Sequence, residues 1–451
     1  MRTQGNEEPT CSLADFTLQI DPSRLSRELL GAAKRCLMDY FAVALAASKE
    51  PLVRVLEDYL ADQRGDCSII GLRLRSSPEG AAFANGALAH YLDYDDVKPN
   101  LGHGTVVIAP AVLALGEKLR KSGLEILTAF IAGFEVSSRI ANSVEPSHSQ
   151  QGWHNTSTCG VFGAAAACAK LLGLDAAALL GAFGIAASFA CGIRRNIGTP
   201  IKPFHAGQAA QSGLKAAVLS SLKIYGARDI FSGKRSFGEV FASPHHEAEL
   251  TRGLGKEFEI LKNGYKLYPC CASSHTAIEG ALALRGQYGL RPEDVEKVQV
   301  GTVPLVLDNL IYKDPHNIVE CRFSMQFCVA LALSDGFVNL DNFSVKRLAD
   351  PKIQDLMQKI SLHQDPRMAP LGYRGTENAN VTVKTRDGKE VQSRVDVARG
   401  MAANPITDAD LLEKFRICAR DAAPAERVEE ILASLIAFEK LRDVNDLLHF
   451  G

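Results

Sequence analysis

Four short segments place ionisable side chains in apolar surroundings. They are HYLDYDD at 90–96 with the loop GHGT at 102–105, GWHNTS at 152–157, GTPIKPFHAG at 198–207 and YKLYPCCASSH at 265–275. Histidine can donate or accept a proton near neutral pH, because its ordinary pKa lies close to it. A lysine in apolar surroundings is costly unless it meets an anion. The segments therefore predict proton transfer on a small anionic molecule.

Each segment also has an ordinary structural interpretation. His90 and Asp93 are three residues apart and share one face of the expected helix, so they form either an oriented general base or the solvated end of that helix. The start of the helix after GWHNTS either binds an anion or is simply capped. Lys202, between two prolines, meets either a substrate or an internal carboxylate. No group at a useful spacing activates Cys270, so we do not expect it to be a nucleophile.

The motifs of the common cofactors are missing from the sequence. There is no P-loop, no GxGxxG after a strand, no GxSxG elbow, no Cys-x-x-Cys and no His-x-x-x-His. The sequence therefore predicts no metal and no nucleotide cofactor. Fifty basic and 52 acidic residues give a formal net charge of -2, which offers no electrostatic footprint for nucleic acid.

Helices must position the first three segments. From about residue 22 to 223, alanine-rich amphipathic runs alternate with short Gly, Pro or Ser/Asp punctuation. Ser77-Pro78-Glu79 is a helix start, and we expect that helix to run to about Tyr94. Its small residues predict close approach to neighbouring helices. The uncharged stretch 176–193 consists mostly of Ala, Gly and Ser, so we interpret it as a buried helix and expect no membrane segment.

The pattern changes after about residue 261. Residues 298–302 alternate in the manner of a strand, and Asp387-Gly388 joins two alternating runs as a hairpin. Further helices are expected at 273–288, 320–332, 408–420 and 425–438. We therefore predict a mainly α protein, with a large all-helical bundle domain and an inserted smaller α+β lid domain. The helical domain comprises residues 1–262 and is completed by 403–451, and the lid comprises residues 263–402.

The same segments, in the same order, resemble the MmgE/PrpD family, which includes 2-methylcitrate dehydratases, cis-aconitate decarboxylases and an iminodisuccinate epimerase. The resemblance runs along most of the chain. It is carried by AAFANGALAHYLDYDD (81–96), GHGTVVIAPAVLALGE (102–117), GWHNTSTCGVFGAAAACAKLLGLD (152–175), GTPIKPFHAGQAAQSG (198–213), YKLYPCCASSHTAIEG (265–280) and IYKDPHNIVECRFS (311–324).

The resemblance implies a homodimer in which each subunit holds a cofactor-free site between its helical and lid domains. His103 is expected to be the general acid and base, with Asp93 orienting its ring. The expected catalytic residues are His103, Asp93, Lys202 and Tyr312, and the expected substrate-binding residues are His154, Lys266, His275 and Arg322. The implied ligand is a small carboxylate.

Two positions depart from the family pattern. Val97 stands where the family often has Thr, and Gly104-Thr105 where it often has Pro-Ser. The missing hydroxyl at Val97 argues against cis-aconitate decarboxylation, whereas LIYKDP and GWHNTST look closest to the epimerase-like branch.

The expected function is a cofactor-independent lyase, either a dehydratase or a decarboxylase, acting on a small di- or tricarboxylate. One alternative is an epimerase or isomerase of a C4 dicarboxylate such as iminodisuccinate. The other alternative is a non-catalytic, dimeric carboxylate-binding protein. The eleven scattered cysteines are typical of reduced thiols. We therefore expect the cytoplasm as the compartment, or the mitochondrial matrix in a eukaryote.

Overall fold

Two hydrophobic cores organise the chain in the computed structural model, which describes residues 8–368 and 378–448. The larger core takes buried residues from 13–265 and again from 406–448. The smaller core takes its residues from 270–391. The protein is mainly α, as the sequence predicts. The domain boundaries at 262 and 402 stay a prediction.

Helices form the larger core almost alone. Those that precede the smaller core are α1 Pro9–Gln19, α2 Arg27–Ala47, α3 Leu52–Leu60, α4 Pro78–Tyr91, α5 Thr105–Leu119, α6 Gly123–Val144, α7 Ser147–Gln150, α8 Asn155–Thr158, α9 Gly160–Leu171, α10 Ala176–Phe189, α11 Ile201–Ser221 and α12 Phe237–Phe241. A two-stranded antiparallel ribbon is formed by β1 Cys67–Ser68 and β2 Arg75–Ser76. Short 3-10 helices in the same part of the chain span Pro22–Arg24, Arg194–Asn196, Glu247–Leu250 and Glu259–Lys262.

Helix α4 leads directly into the first site segment. The Ser77 hydroxyl accepts from the Gly80 N–H and caps the helix start, as predicted. The helix ends at Tyr91 rather than at Tyr94, because Asp93 takes a left-handed conformation with φ of 50°. The prediction that His90 and Asp93 share one face of a helix is therefore wrong, because residues three apart share a face only where the helix is continuous.

Small residues let α4 and α11 cross in close contact. A Cβ atom added to Gly207 of α11 would lie 2.3 Å from the carbonyl oxygen of Phe83 in α4. A Cβ atom added to Gly86 of α4 would lie 2.9 Å from the Cα atom of Gly207. This close approach sets α11, which carries Lys202 in its first turn, beside the end of α4.

A four-stranded sheet with helices forms the smaller core. Its elements are α13 His275–Tyr288, β3 Val295–Thr302, α14 Pro304–Asn309, α15 Ile318–Cys321, α16 Met325–Asp335, α17 Val345–Leu348, α18 Pro351–Lys359, β4 Ile360–Gln364, β5 Ala379–Thr385 and β6 Glu390–Val395, with 3-10 helices at Ala272–Ser274 and Pro292–Asp294. The strand order is β4-β3-β5-β6; β3 and β4 are parallel, and the other pairs are antiparallel.

Two predictions for this region have different outcomes. The hairpin around Asp387-Gly388 is confirmed, because β5 and β6 pair with Val383 opposite Val391. The single helix expected at 320–332 is wrong. The chain leaves α15 at Cys321, and the Ser324 hydroxyl then caps α16 by accepting from the Phe327 N–H.

The C-terminal segment returns to the larger core. It forms α19 Asp408–Ala419, α20 Ala425–Ile436, a 3-10 turn Phe438–Lys440 and α21 Asn445–Leu448. The ammonium of Lys414 in α19 is buried and donates to the Asp39 carboxylate at 2.6 Å. It also donates to the carbonyl oxygens of Tyr94 at 2.7 Å and Lys266 at 2.9 Å. Lys414 thus fixes the backbone of two site segments.

The buried helix expected over 176–193 is confirmed as α10, which has buried residues between Ala178 and Ala186 and ends at Phe189, so residues 190–193 lie outside it. No helix within residues 8–368 and 378–448 combines the length and the apolar character needed to cross a membrane.

Candidate active site

A cavity of about 480 Å³ opens between the two cores. Residues 93–103, 145–156 and 194–202 line it on the side of the larger core, and residues 266–273 and 303–309 line it on the other side. Its volume is typical of a pocket for a small molecule. The lining includes five of the eight predicted site residues: Asp93, His103, His154, Lys202 and Lys266.

Asp93 binds two lysines at the floor of this cavity. One carboxylate oxygen, Oδ1, lies 2.9 Å from the Lys202 ammonium and 2.7 Å from the Lys266 ammonium. Burial opposes ionisation of Asp93, but the two ammonium groups outweigh it and hold its pKa well below the ordinary value. Burial likewise acts against the charge of Lys266, yet Asp93 raises the pKa of Lys266. Asp93 and Lys266 are therefore charged at neutral pH.

His103 is held by the backbone of its loop, by one hydrogen-bond acceptor and by a nearby carboxylate. Its N–H donates to the Thr156 hydroxyl at 3.1 Å, and Gly102 before it has a φ of 79°, which favours glycine. Its ring Nδ1 lies 3.0 Å from the carbonyl oxygen of Asp96 and 2.7 Å from Oδ2 of Asp95. The Asp96 carbonyl accepts a hydrogen bond and the Asp95 carboxylate adds negative charge beside it, so Nδ1 carries the proton of the neutral ring. The Nε2 lone pair is then free to accept a proton.

Asp95, rather than Asp93, is the nearer carboxylate to His103. The expected orienting residue, Asp93, lies 3.7 Å from the other ring nitrogen, Nε2. Asp95 also accepts from His90 Nδ1 at 3.0 Å, so it links two imidazoles. Burial opposes its ionisation, but His103 and His90 outweigh this and hold the pKa of Asp95 well below the ordinary value. Our expectation that Asp93 orients the His103 ring is therefore corrected to Asp95.

His154 faces the cavity as a neutral ring. Burial lowers its pKa well below the ordinary value, and the neighbouring His205 and Lys202 lower it further. Its Nδ1 lies 3.1 Å from Nδ1 of His205. A neutral imidazole binds a carboxylate through one hydrogen bond and contributes no positive charge. The predicted substrate-binding role of His154 is thus compatible with its position only as a neutral donor or as a proton carrier.

The site also has a group that could hold a metal ion. His90, Asp93, Asp95 and His103 each offer one ligand atom, and these atoms lie within 4.8 Å of one another. Two nitrogens and two carboxylate oxygens are reasonable ligands for a divalent cation. However, Lys202 and Lys266 already contact the Asp93 oxygen, so a cation at this point would meet two positive charges. The prediction of a metal-free site stays a prediction.

Within residues 8–368 and 378–448, three of the predicted site residues do not line the cavity. The Tyr312 hydroxyl donates to the Gly198 carbonyl at 3.2 Å and so joins the two sides of the cavity. His275 is buried, and its Nε2 lies 3.3 Å from the Cys270 carbonyl. The guanidinium of Arg322 is buried over the Tyr91 ring, 5.3 Å from its centroid. A direct contact of these three with substrate is not supported by their positions.

Sequence reasoning missed two contributors to the site. Asp95 was visible in the HYLDYDD segment, but its link to two histidines depends on the irregular turn after α4. Arg194 lines the cavity although it belongs to none of the four predicted segments. Its position depends on a bridge between Trp153 and Ile193, a non-local pairing that no spacing in the sequence indicates.

The fold and the site define a mainly helical protein with an acid–base cavity between two cores. The chain belongs to the MmgE/PrpD family. A sequence model described as the MmgE/PrpD N-terminal domain matches residues 11–249, and one described as the MmgE/PrpD C-terminal domain matches residues 268–437.

Among its relatives, mouse cis-aconitate decarboxylase is 27% identical over 454 residues, covering 97% of this chain and 91% of the relative. Human cis-aconitate decarboxylase is 29% identical over 392 residues, covering 83% of this chain and 79% of the relative. 2-Methylcitrate dehydratase of Escherichia coli K12 is 23% identical over 461 residues, covering 93% of this chain and 92% of the relative. The family expected from the sequence is therefore confirmed.

Proposed function

We propose that this protein is a cofactor-independent lyase that eliminates water or CO₂ from a small di- or tricarboxylate by proton transfer next to a carboxylate. One observation carries the proposal. The Nε2 atom of His103 faces the cavity 3.7 Å from an aspartate oxygen that also binds two ammonium groups. A proton acceptor therefore lies beside fixed positive charge.

The geometry provides both parts of such a reaction. In elimination of water, Nε2 of His103 takes a proton from the carbon next to a carboxylate, and the imidazolium that forms lies near Asp93. The C–O bond at the neighbouring carbon breaks, and the leaving hydroxide takes the proton from the imidazolium and departs as water. Negative charge develops on the substrate carboxylate, and ammonium groups held by Asp93 stabilise it. In loss of CO₂, the bond between the chain and one carboxylate carbon breaks, and a His103 ring that has first taken a proton from solvent gives this proton from Nε2 to the carbon left behind. Lys202 and Lys266 act as fixed charges in either case.

The relatives support the class of reaction. Those named above carry the names of a decarboxylase and a dehydratase, and both names denote lyases that act on carboxylates. Val97 lines the cavity, so the position where the family often has Thr lies at the site itself. An apolar side chain there offers the substrate a hydrophobic contact and no hydrogen bond.

Proton NMR in D₂O tests this proposal on the purified chain with a panel of C4 to C7 polycarboxylates. Loss of water gives a new vinyl signal, and loss of CO₂ gives a product with deuterium on carbon. Exchange of a proton for deuterium without net loss would indicate an epimerase, which is the alternative expected from the sequence. Absence of turnover and exchange across the panel, with binding retained, would indicate a non-catalytic carboxylate-binding protein.

The homodimer is also a proposal, carried by the family resemblance. Light scattering on the purified chain measures its mass in solution, and a monomer mass would contradict it.

A further inference from the structure

His205 contacts a residue of the cavity wall, yet the proposed reaction gives it no part. It lies in the second turn of α11, and its Nδ1 atom lies 3.1 Å from Nδ1 of His154. His154 lines the cavity. His205 is half-buried, and the cavity lining that residues 8–368 and 378–448 provide does not include it. The two imidazoles therefore connect the cavity to the surface outside it.

The remaining nitrogen of each ring is open. Within the described part of the chain, Nε2 of His154 and Nε2 of His205 have no hydrogen-bond partner, and neither belongs to the enclosed polar atoms that lack one. Nε2 of His90, in contrast, is enclosed without a partner. A molecule in the cavity can thus reach Nε2 of His154, and water can reach Nε2 of His205.

The hydrogen bond between the two Nδ1 atoms contains a single proton. A neutral imidazole carries one N–H, so one Nδ1 donates while the other accepts. If His154 donates, its Nε2 is a bare acceptor in the cavity and Nε2 of His205 carries a proton on the outside. If His205 donates, the two Nε2 atoms exchange these roles. The pair therefore has two neutral states, which differ in the end at which a proton is available.

The charged and titratable groups around the pair favour these neutral states. Burial lowers the pKa of both rings, and the Lys202 ammonium, one turn before His205 on α11, lowers both further. His90 and His103 act on the pKa of His154 in the same direction. No carboxylate oxygen of the described residues lies within 4.0 Å of a ring nitrogen of His154 or His205. A proton that enters the pair at one end is therefore not retained.

The backbone fixes the distance between the two rings. The His154 N–H donates to the Gly192 carbonyl at 3.0 Å, and the Ser157 hydroxyl donates to the His205 carbonyl at 3.2 Å. A Cβ atom added to Gly192, where φ is 124°, would lie 2.9 Å from Cβ of Ser157 and 3.6 Å from Cγ of His205. The segments of His154 and His205 thus pack together because residue 192 has no side chain.

We propose that His154 and His205 form a relay that carries protons between the cavity and the solvent. In one direction, Nε2 of His154 takes a proton from the cavity, the Nδ1 proton of His154 passes to Nδ1 of His205, and the Nε2 proton of His205 leaves to water. The reverse transfers deliver one proton into the cavity. One proton enters and one leaves in each case, and both rings are neutral before and after.

The use of the relay in turnover rests on the proposed function. Loss of CO₂ leaves a carbon that gains one proton, and this proton comes from solvent. A bound substrate displaces water from the cavity, so the proton needs another route than free diffusion. The relay provides this route, because its outer end stays open while the cavity is occupied. His205 then acts on the substrate only through His154.

Histidine-labelled protein tests the relay without a substrate. In two-dimensional ¹H–¹⁵N spectra, the proton between the two Nδ1 atoms should exchange rapidly with water in the wild type. His205→Asn places an amide near the former Nδ1, so it keeps the hydrogen bond to His154 but cannot pass a proton on. We expect the exchange to be slower by about 10-fold or more in this variant. The melting temperature shows whether the fold is kept.

His245→Asn is the matched control. His245 is also half-buried, and it does not line the cavity among the described residues. This substitution should leave the exchange of the Nδ1 proton within about twofold of the wild type.

Turnover with loss of CO₂ gives a second readout, which a purely structural role of His205 would not move. His205→Ala should lower kcat by about 10-fold or more, and added 4-methylimidazole should restore part of it, because a free imidazole can occupy the open position and pass the proton on. The wild type should not respond to 4-methylimidazole. A loss of kcat that 4-methylimidazole does not restore would mean that His205 only holds the His154 ring in place, which overturns the relay.

The outcomes separate this inference from the proposed function. Exchange that is equally fast in the wild type and in His205→Asn overturns the relay whatever the reaction. Slow exchange in both proteins overturns it as well, and neither result alters turnover of the wild type in the NMR panel. Exchange that depends on His205, in a chain that turns over none of the panel, upholds the relay and rejects the lyase.

Discussion

The Nδ1 atom of His103 lies 3.0 Å from the Asp96 carbonyl oxygen and donates to it. The Nε2 atom of the same ring therefore carries no proton and can accept one from a molecule in the cavity. Glutamine has nearly the same reach but cannot take a proton at neutral pH. We expect His103→Gln to lower kcat by about 100-fold or more in a turnover assay, with an unchanged melting temperature. His316→Gln, at an exposed position, is the control. Near-wild-type turnover in His103→Gln would reject the assignment.

Asp95 offers a second test at the same scale. Its two oxygens face Nδ1 of His90 at 3.0 Å and Nδ1 of His103 at 2.7 Å. Asparagine replaces one acceptor by a donor, so one of the two rings must adopt its other tautomer. We expect Asp95→Asn to lower kcat by about 10-fold or more with little change in KM.

The tautomers of the His90 and His103 rings distinguish an orienting role of Asp95 from a purely structural one, because only the loss of an orienting group changes them. Two-dimensional ¹H–¹⁵N spectra of histidine-labelled protein distinguish a proton on Nδ1 from one on Nε2. In the wild type the His103 signal should report Nδ1–H, and in Asp95→Asn either His103 or His90 should change. Identical histidine spectra in the two proteins would show that Asp95 does not orient these rings.

Much of the candidate site could be predicted from residue types. Histidine and lysine in apolar segments identified His103, Lys202 and Lys266, which do line the cavity. The partner of each was not predictable. The spacing of His90 and Asp93 suggested a pair, whereas the left-handed Asp93 ends the helical geometry on which that pairing depends. Local spacing predicts contacts only while the secondary structure continues.

At the scale of elements, the crossing of α4 and α11 sets the distance between Asp93 and Lys202. A Cβ atom at Gly207 would lie 2.3 Å from a backbone oxygen of α4, which cannot move without moving the helix. We expect Gly207→Ala to lower the free energy of unfolding by about 2 kcal/mol or more and to reduce turnover as well. Unfolding in urea measures the first effect.

Gly31→Ala is the control for that substitution. Gly31 lies within α2, and a Cβ atom there would meet nothing within 4 Å. Alanine should therefore raise the free energy of unfolding by about 0.5 to 1 kcal/mol, because it has the better helix propensity. A Gly207→Ala variant as stable as wild type would mean that the helices can separate at no cost.

Lys98 and Glu259 connect the turn after α4 to the 3-10 helix that precedes the Lys266 segment. Burial lowers the pKa of Lys98 despite its partner, so desolvation cancels part of what the ion pair gains. Burial also opposes ionisation of Glu259, but Lys98 and Lys262, which lies 2.6 Å away, outweigh it and lower the pKa of Glu259 from 4.5 to about 2. A carboxylate with a depressed pKa stabilises the fold above its ordinary pKa, and this stability is lost as the pH falls toward the depressed value.

We therefore expect the stability difference between wild type and Glu259→Gln to depend on pH. It should be largest above pH 4.5 and should shrink as the pH falls toward 2. Unfolding in urea near neutral pH and at about pH 3 measures it. Glu57→Gln, at an exposed position on α3, should show a small difference at both pH values. A Glu259→Gln difference that stays constant with pH would contradict the depressed pKa.

Across the whole molecule, the sequence predicted the mainly α composition and the later hairpin, because helix punctuation and Asp-Gly turns are local signals. The cavity is not local. It joins residue 93 to residue 266 and residue 194 to residue 309, and these pairings arise from helix crossings and loop bridges. Arg194 illustrates the limit, since its sequence neighbourhood is an ordinary polar turn and only the bridge to Trp153 brings it to the site.

Because both cores contribute walls to the cavity, a ligand there should stabilise the two together. Propane-1,2,3-tricarboxylate, an unreactive small carboxylate, at about 100 times its dissociation constant should slow hydrogen exchange by up to about 100-fold in peptides whose exchange requires release of the ligand. We expect this protection in 93–103 and 194–202 on one side and in 266–273 and 303–312 on the other, as measured by mass spectrometry. Acetate, which is too short to span the cavity, is the control. Protection confined to segments of one core would mean that the ligand occupies one wall, and the site would then lie within a single domain rather than between two.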